Sequence, residues 1–223
     1  MDKKLTIKLF FAFVLTIIIG TITHEAGHYY TSKALGYDAY FAYGMVYTTG
    51  FNKEASKVWE EERENPNMER INIYQKKRNK IMLGGPLTSI FIGLAGTLFL
   101  LIKRTKDKSK SLLTWIIIFF SLFILRCVYI GLCGLNKLFS QTINLKSDEE
   151  KIFWHYEIDM QTGFILLALL PLPLVLFTLK KWLTKKEWVS FLVAGALGIP
   201  AGFYLWYVVL GPVLLPPLEA TIQ

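Results

Sequence analysis

Apolar positions in this chain gather into five long runs separated by short polar segments. They span residues 5–23, 81–102, 112–135, 164–179 and 188–210, and a run of about 18 apolar residues reads as a membrane-spanning helix. The first is broken only by Lys8, and the third holds Arg126 well inside it. The fourth is short and carries Pro171 and Pro173, which predicts a segment that is re-entrant or packed inside the bundle. The fifth is loosened by Gly195, Gly198, Pro200 and Gly202. Between the first two runs, residues 37–47 are aromatic and partly alternating, with Gly44 and Gly50 as punctuation, which predicts a short β-hairpin or membrane-hugging strands. Residues 53–80 form the one extended hydrophilic segment; acidic in its first half, basic in its second and interrupted by Pro66, it predicts two short solvated helices. The expected fold is an all-α polytopic membrane protein of about five transmembrane helices, a single domain over 1–223, with a small strand element and an extramembrane insert over 37–80.

Composition agrees. Of 223 residues, 53% are hydrophobic and only 19% charged, less charge than the surface of a soluble domain this size needs. The net charge of +8 does not point to nucleic acid, because Lys and Arg flank the apolar runs, where they meet anionic lipid headgroups. Lys and Arg balance between the two sides, and only the short, dense basic loop at 103–106 leans toward the cytoplasm. The Lys-rich start resembles a secretory signal, but no small-residue cleavage site follows, so the first run reads as retained. Cys127 and Cys133, six residues apart on one expected helix, do not suit a disulfide.

Two of the three histidines stand in His24-Glu25-Ala26-Gly27-His28. On a helix, residues four apart share a face, so both imidazoles can meet one metal ion. Zinc takes three protein ligands plus a water in catalytic sites, and a Glu after the first His can take a proton from that water. His and Glu at the end of an apolar span are costly and functional by default. Ala26 and Gly27 are small enough to admit a neighbouring segment or a substrate. The third ligand must come from the side where the first span ends. Asp148, Glu149, Glu150, His155, Glu157 and Asp159 all lie there, and Asp148 can equally be read as a helix cap.

An HExxH motif closing a first membrane helix resembles the site-2 protease family of intramembrane zinc proteases. Gly84-Gly85-Pro86-Leu87-Thr88-Ser89 resembles the family's Gly-Pro segment, while Asn136 and Asp148 follow in the order of its Asn-x-x-Pro…Asp-Gly region. Ser89 stands where the family has Asn, Phe139 where it has Pro and Glu149 where it has Gly, and the gap from Asn136 to Asp148 is longer. The resemblance covers roughly residues 10–155. It implies a zinc endopeptidase acting on membrane-embedded or membrane-adjacent peptides, with one zinc on His24, His28 and Asp148 and with Glu25 as catalytic base. Asn136 reads equally as a donor of a hydrogen bond to the substrate carbonyl or the oxyanion and as a polar cap at the helix end. Asp159 and His155 are the rival third ligands. Arg126 is expected to pair with a carboxylate or face a wet cavity. The 37–47 strand could bind an unwound substrate by edge pairing. The competing reading is a metal-binding membrane scaffold without hydrolysis, against which the intact Glu25 speaks. A transporter would show repeated broken helices in two halves, and none is evident.

Overall fold

The computed structural model describes residues 2–63, 67–103, 110–140 and 147–217. Pro66, most of the basic loop after Lys103 and the approach to Asp148 (Asn144 included) lie outside them. Helix α1, Lys3–Ala34, opens on Asp2, whose carboxylate accepts the Leu5 N–H at 3.1 Å. Strands β1 (Tyr40–Ala42) and β2 (Met45–Tyr47) follow, then α2 (Thr49–Glu61) and α3 (Met68–Ile102). Helices α4 (Leu112–Ser121) and α5 (Leu125–Ser140) are joined by a 3₁₀ turn at Leu122–Ile124. The chain continues through α6 (Asp148–His155), α7 (Met160–Leu169), α8 (Pro171–Trp182), α9 (Lys185–Tyr204), a π-helical segment Leu205–Leu210 and α10 (Gly211–Leu214).

Five helical stretches are long and apolar enough to cross a membrane: Lys3–Ala34, Met68–Ile102, Leu112–Ser140, Met160–Trp182 and Lys185–Leu214. The fourth is a full-length span, not the short segment its prolines predict. Leu170 keeps right-handed helical geometry, and Pro171 and Pro173 fall in the first turn of α8, where a missing N–H leaves few intrahelical bonds unmade. The 53–80 segment also differs from expectation. Its first half is the solvated helix α2, but its second half is the start of α3 and runs without a break into the second span.

The spans pack through a core at the end of the bundle that holds the N-terminus. Leu9 and Phe13 of α1, Leu100 of α3, Ile118 and Phe119 of α4, Val175 and Leu179 of α8, and Phe191 and Ala194 of α9 are buried together there. Phe13 sets its ring edge-on to Phe119 and Phe191, at 5.1 and 4.9 Å. The outside of the bundle is apolar too: Phe91, Ile102, Leu112 and Leu197 are all largely exposed, as a lipid-facing surface requires. The glycines that loosen the fifth run are close-contact points. A Cβ at Gly198 would lie 2.8 Å from the Phe10 carbonyl oxygen, and one at Gly202 2.9 Å from the Ile17 side chain, so α9 rests directly on α1.

The strands pair antiparallel as Tyr40 with Tyr47, Phe41 with Val46 and Ala42 with Met45, leaving Tyr43 and Gly44 as the turn. That turn is fastened to the end of the fifth span. The Tyr43 N–H donates to the Leu215 carbonyl at 3.0 Å, and the Trp206 indole N–H donates to the Tyr43 carbonyl at 2.7 Å. Trp206 projects from the π-helical segment and is buried.

Candidate metal centre

The motif sits inside α1, which continues for six residues beyond His28. At about 1.5 Å of rise per residue, His24 lies about 28 Å along the helix from Leu5, close to one edge of a hydrocarbon core about 30 Å thick. The site therefore lies near enough to a membrane face to be reached by water. His24, Glu25 and His28 are all buried.

Helix α3 crosses α1 at this level. A Cβ on Gly27 would come within 2.3 Å of the Gly84 carbonyl oxygen, and one on Gly84 within 2.4 Å of that of Gly27, so the two backbones touch. Gly85 faces the imidazoles. A Cβ there would stand 2.3 Å from His28 Nε2 and 2.7 Å from His24 Nε2, inside the space the two rings occupy. Gly85→Ala is expected to push both rings off their common point and weaken metal binding at least tenfold, leaving helical content intact. A competitive chelator titration beside circular dichroism checks this.

The outer nitrogens of both rings are held in place. His28 Nδ1 lies 2.8 Å from the Ile81 carbonyl oxygen, which can only accept, so Nδ1 carries the proton and Nε2 is left for a metal. His24 Nδ1 lies 3.2 Å from the Ser89 hydroxyl, which in turn donates to the Gly85 carbonyl. The two Nε2 atoms are 3.2 Å apart. Asp148 Oδ2 lies 3.1 Å from His28 Nε2 and 3.5 Å from His24 Nε2. Ligands at 2.0–2.1 Å in a tetrahedron stand about 3.3 Å from one another. The three atoms have the spacing of one face of such a tetrahedron, and the group can hold a metal ion.

Asp148 is brought there by α6. The helix is capped by Ser147, whose hydroxyl accepts the Glu150 N–H at 3.1 Å, so Asp148 is the first helical residue and not the cap. The other two acids of that turn tie α6 to α5: Glu149 pairs with Arg126 and Glu150 with Lys137. Arg126 thus has the carboxylate partner expected of it, and the pair braces the residue next to Asp148.

The rival ligands are elsewhere. Asp159 is exposed and caps α7, accepting the Thr162 N–H at 2.8 Å, a bond that also lowers its pKa. His155 packs its ring against Tyr156 and does not join the group. Asn136 is exposed on α5 and is not among the residues of the metal group or of the cavity beside it; the six residues between α5 and Ser147 lie outside those described. The Ile81 carbonyl carries no recognisable sequence signal; Ser89, which closes the Gly84–Ser89 segment, lies four residues after Gly85 and shares its face of α3.

A cavity of about 310 Å³ opens beside the centre, lined by Glu25, His28 and Asp148, by Gly44, Met45 and Val46 of the hairpin, and by Met82 of α3. Glu25 forms no hydrogen bond or ion pair with any described residue. A buried carboxylate without a protein partner is costly unless water or a ligand meets it. Pro86 lacks the N–H that would otherwise meet the Met82 carbonyl. No protein-family model, curated protein or solved structure matches the chain.

Proposed function

We propose that this chain is a multi-pass integral membrane zinc endopeptidase of the site-2 protease type, cutting peptide bonds of membrane-embedded or membrane-adjacent substrates. The observation that carries the reading is the convergence of His24 Nε2, His28 Nε2 and Asp148 Oδ2 within 3.1–3.5 Å of one another at a cavity that also holds the unpartnered Glu25. Two imidazole nitrogens and one carboxylate oxygen suit zinc better than magnesium or calcium, which prefer all-oxygen sites. Zinc, when bound, lowers the pKa of a water and polarises the scissile carbonyl. Glu25 takes a proton from the attacking water at its carboxylate and returns it to the amine nitrogen as the C–N bond breaks. The Ile81 carbonyl and Ser89 hydroxyl keep the two imidazoles turned toward the ion.

The hairpin supports the peptide part of this reading. Strand β2 lines the cavity, and a substrate unwound from its helix can pair along an exposed strand edge. The Trp206 and Leu215 bonds to Tyr43 hold that edge in register with the centre.

A metal-binding scaffold without hydrolysis is the second reading. The exposed position of Asn136 favours it, since no side-chain amide from α5 reaches the cavity; the buried, unpartnered Glu25 argues against it. Purified wild type is expected to carry about one zinc per chain and to cleave a single-span substrate. Chelation should remove both zinc and activity, and one equivalent of zinc should restore them. Cleavage that survives complete chelation would reject the proposal.

A further inference from the structure

Two cations on the cavity wall have no part in the hydrolysis described above. Arg78 of α3 and Lys151 of α6 line the same cavity as Glu25, His28 and Asp148. The first turn of α6 explains why Lys151 is left over: Asp148 faces the histidines, Glu149 pairs with Arg126 and Glu150 with Lys137. Among the described residues, no carboxylate lies within ion-pair distance of Arg78 or Lys151.

Charge balance makes these two the excess. With a divalent ion on the centre, Asp148 and Glu25 supply the two compensating negative charges. Arg78 and Lys151 then remain as uncompensated positive charges lining the same cavity. Such a pair raises the local concentration of anions and offers charge-assisted hydrogen bonds to one that binds. Strand β2 lines that cavity too, its backbone suits an extended peptide, and the anion that a peptide carries is a carboxylate.

We propose that Arg78 and Lys151 select substrates bearing a carboxylate at the bound segment, either an Asp or Glu side chain beside the scissile bond or the terminal carboxylate of a peptide. The inference rests on reading this cavity as the peptide site. It adds a substrate preference that neither the metal group nor the hairpin imposes.

Four labelled peptides of one sequence separate the two sources: Asp or Asn beside the bond to be cut, each with a free or an amidated C-terminus. Binding is read by fluorescence anisotropy to zinc-loaded Glu25→Gln protein, which removes turnover, with and without Arg78→Gln and Lys151→Gln. An Asp peptide binding about tenfold tighter than its Asn partner identifies the side chain as the source; a similar gain for the free over the amidated end identifies the terminus. In either case the double variant should bring the preference to within twofold, each single variant should fall between, and zinc content should not change. Equal binding of all four peptides, or a preference that persists in the double variant, overturns the inference. Carboxylate-dependent binding without cleavage by the wild type would retain this inference and remove the protease reading. Cleavage without any charge preference would do the reverse.

Discussion

Glu25→Gln is expected to lower turnover of a membrane-helix substrate by about 10³-fold while leaving about one metal ion per chain. The carboxylate is buried, lines the cavity beside His28 and Asp148, and makes no hydrogen bond or ion pair with a described residue. It is not one of the three atoms that form the metal group. Glutamine keeps the shape and can still hydrogen-bond a water, but it cannot take up the proton. The loss should therefore appear in kcat, with KM and zinc content nearly unchanged. If turnover were preserved, the base would have to be sought elsewhere. If zinc were lost instead, Glu25 would be a ligand.

Asp148→Ala is expected to weaken zinc binding by more than about 100-fold, a larger loss than the 10–100-fold typical of removing a supporting contact. Asp148 supplies the only carboxylate oxygen in the group and sits within 3.5 Å of both Nε2 atoms. Asp159→Ala is the matched control. Asp159 caps α7 from an exposed position, so its removal should cost a little helix stability and leave zinc content unchanged. The opposite pattern, with zinc lost on changing Asp159 and kept on changing Asp148, would move the third ligand and dismantle the centre described here.

Much of the architecture was legible because membrane spans announce themselves as uninterrupted apolar runs. The hairpin was legible from the alternation and aromatics of residues 37–47. What failed was reading where runs end. Pro171 and Pro173 look like breaks, yet at the start of a helix they are tolerated, and the fourth span is complete. Lys76 to Lys80 look like a solvated helix of their own, yet no cap separates them from Ile81, and α3 continues straight through.

The metal group shows the same division. His24 and His28 are set by local helical spacing, so the sequence alone brings them together. Asp148 depends on where α6 docks, which is decided by Ser147 as cap and by the Arg126–Glu149 and Lys137–Glu150 pairs. No spacing rule distinguishes it from Asp159. The resemblance chose Asp148, and the geometry places it with the histidines. The same resemblance chose Asn136, which lies exposed on α5 outside the cavity. Residues that act through backbone or steric room, such as the Ile81 carbonyl and Gly85, become visible only once α1 and α3 are seen to cross.

The most direct test of the central claim is to reconstitute zinc-loaded wild type into lipid vesicles with a single-span substrate and map the products by mass spectrometry. Two fragments from one cut in or beside the substrate's span, absent with Glu25→Gln and absent after chelation, are the expected result. Intact substrate after prolonged incubation with wild type that carries one zinc per chain would contradict it and leave a metal-binding membrane scaffold in its place.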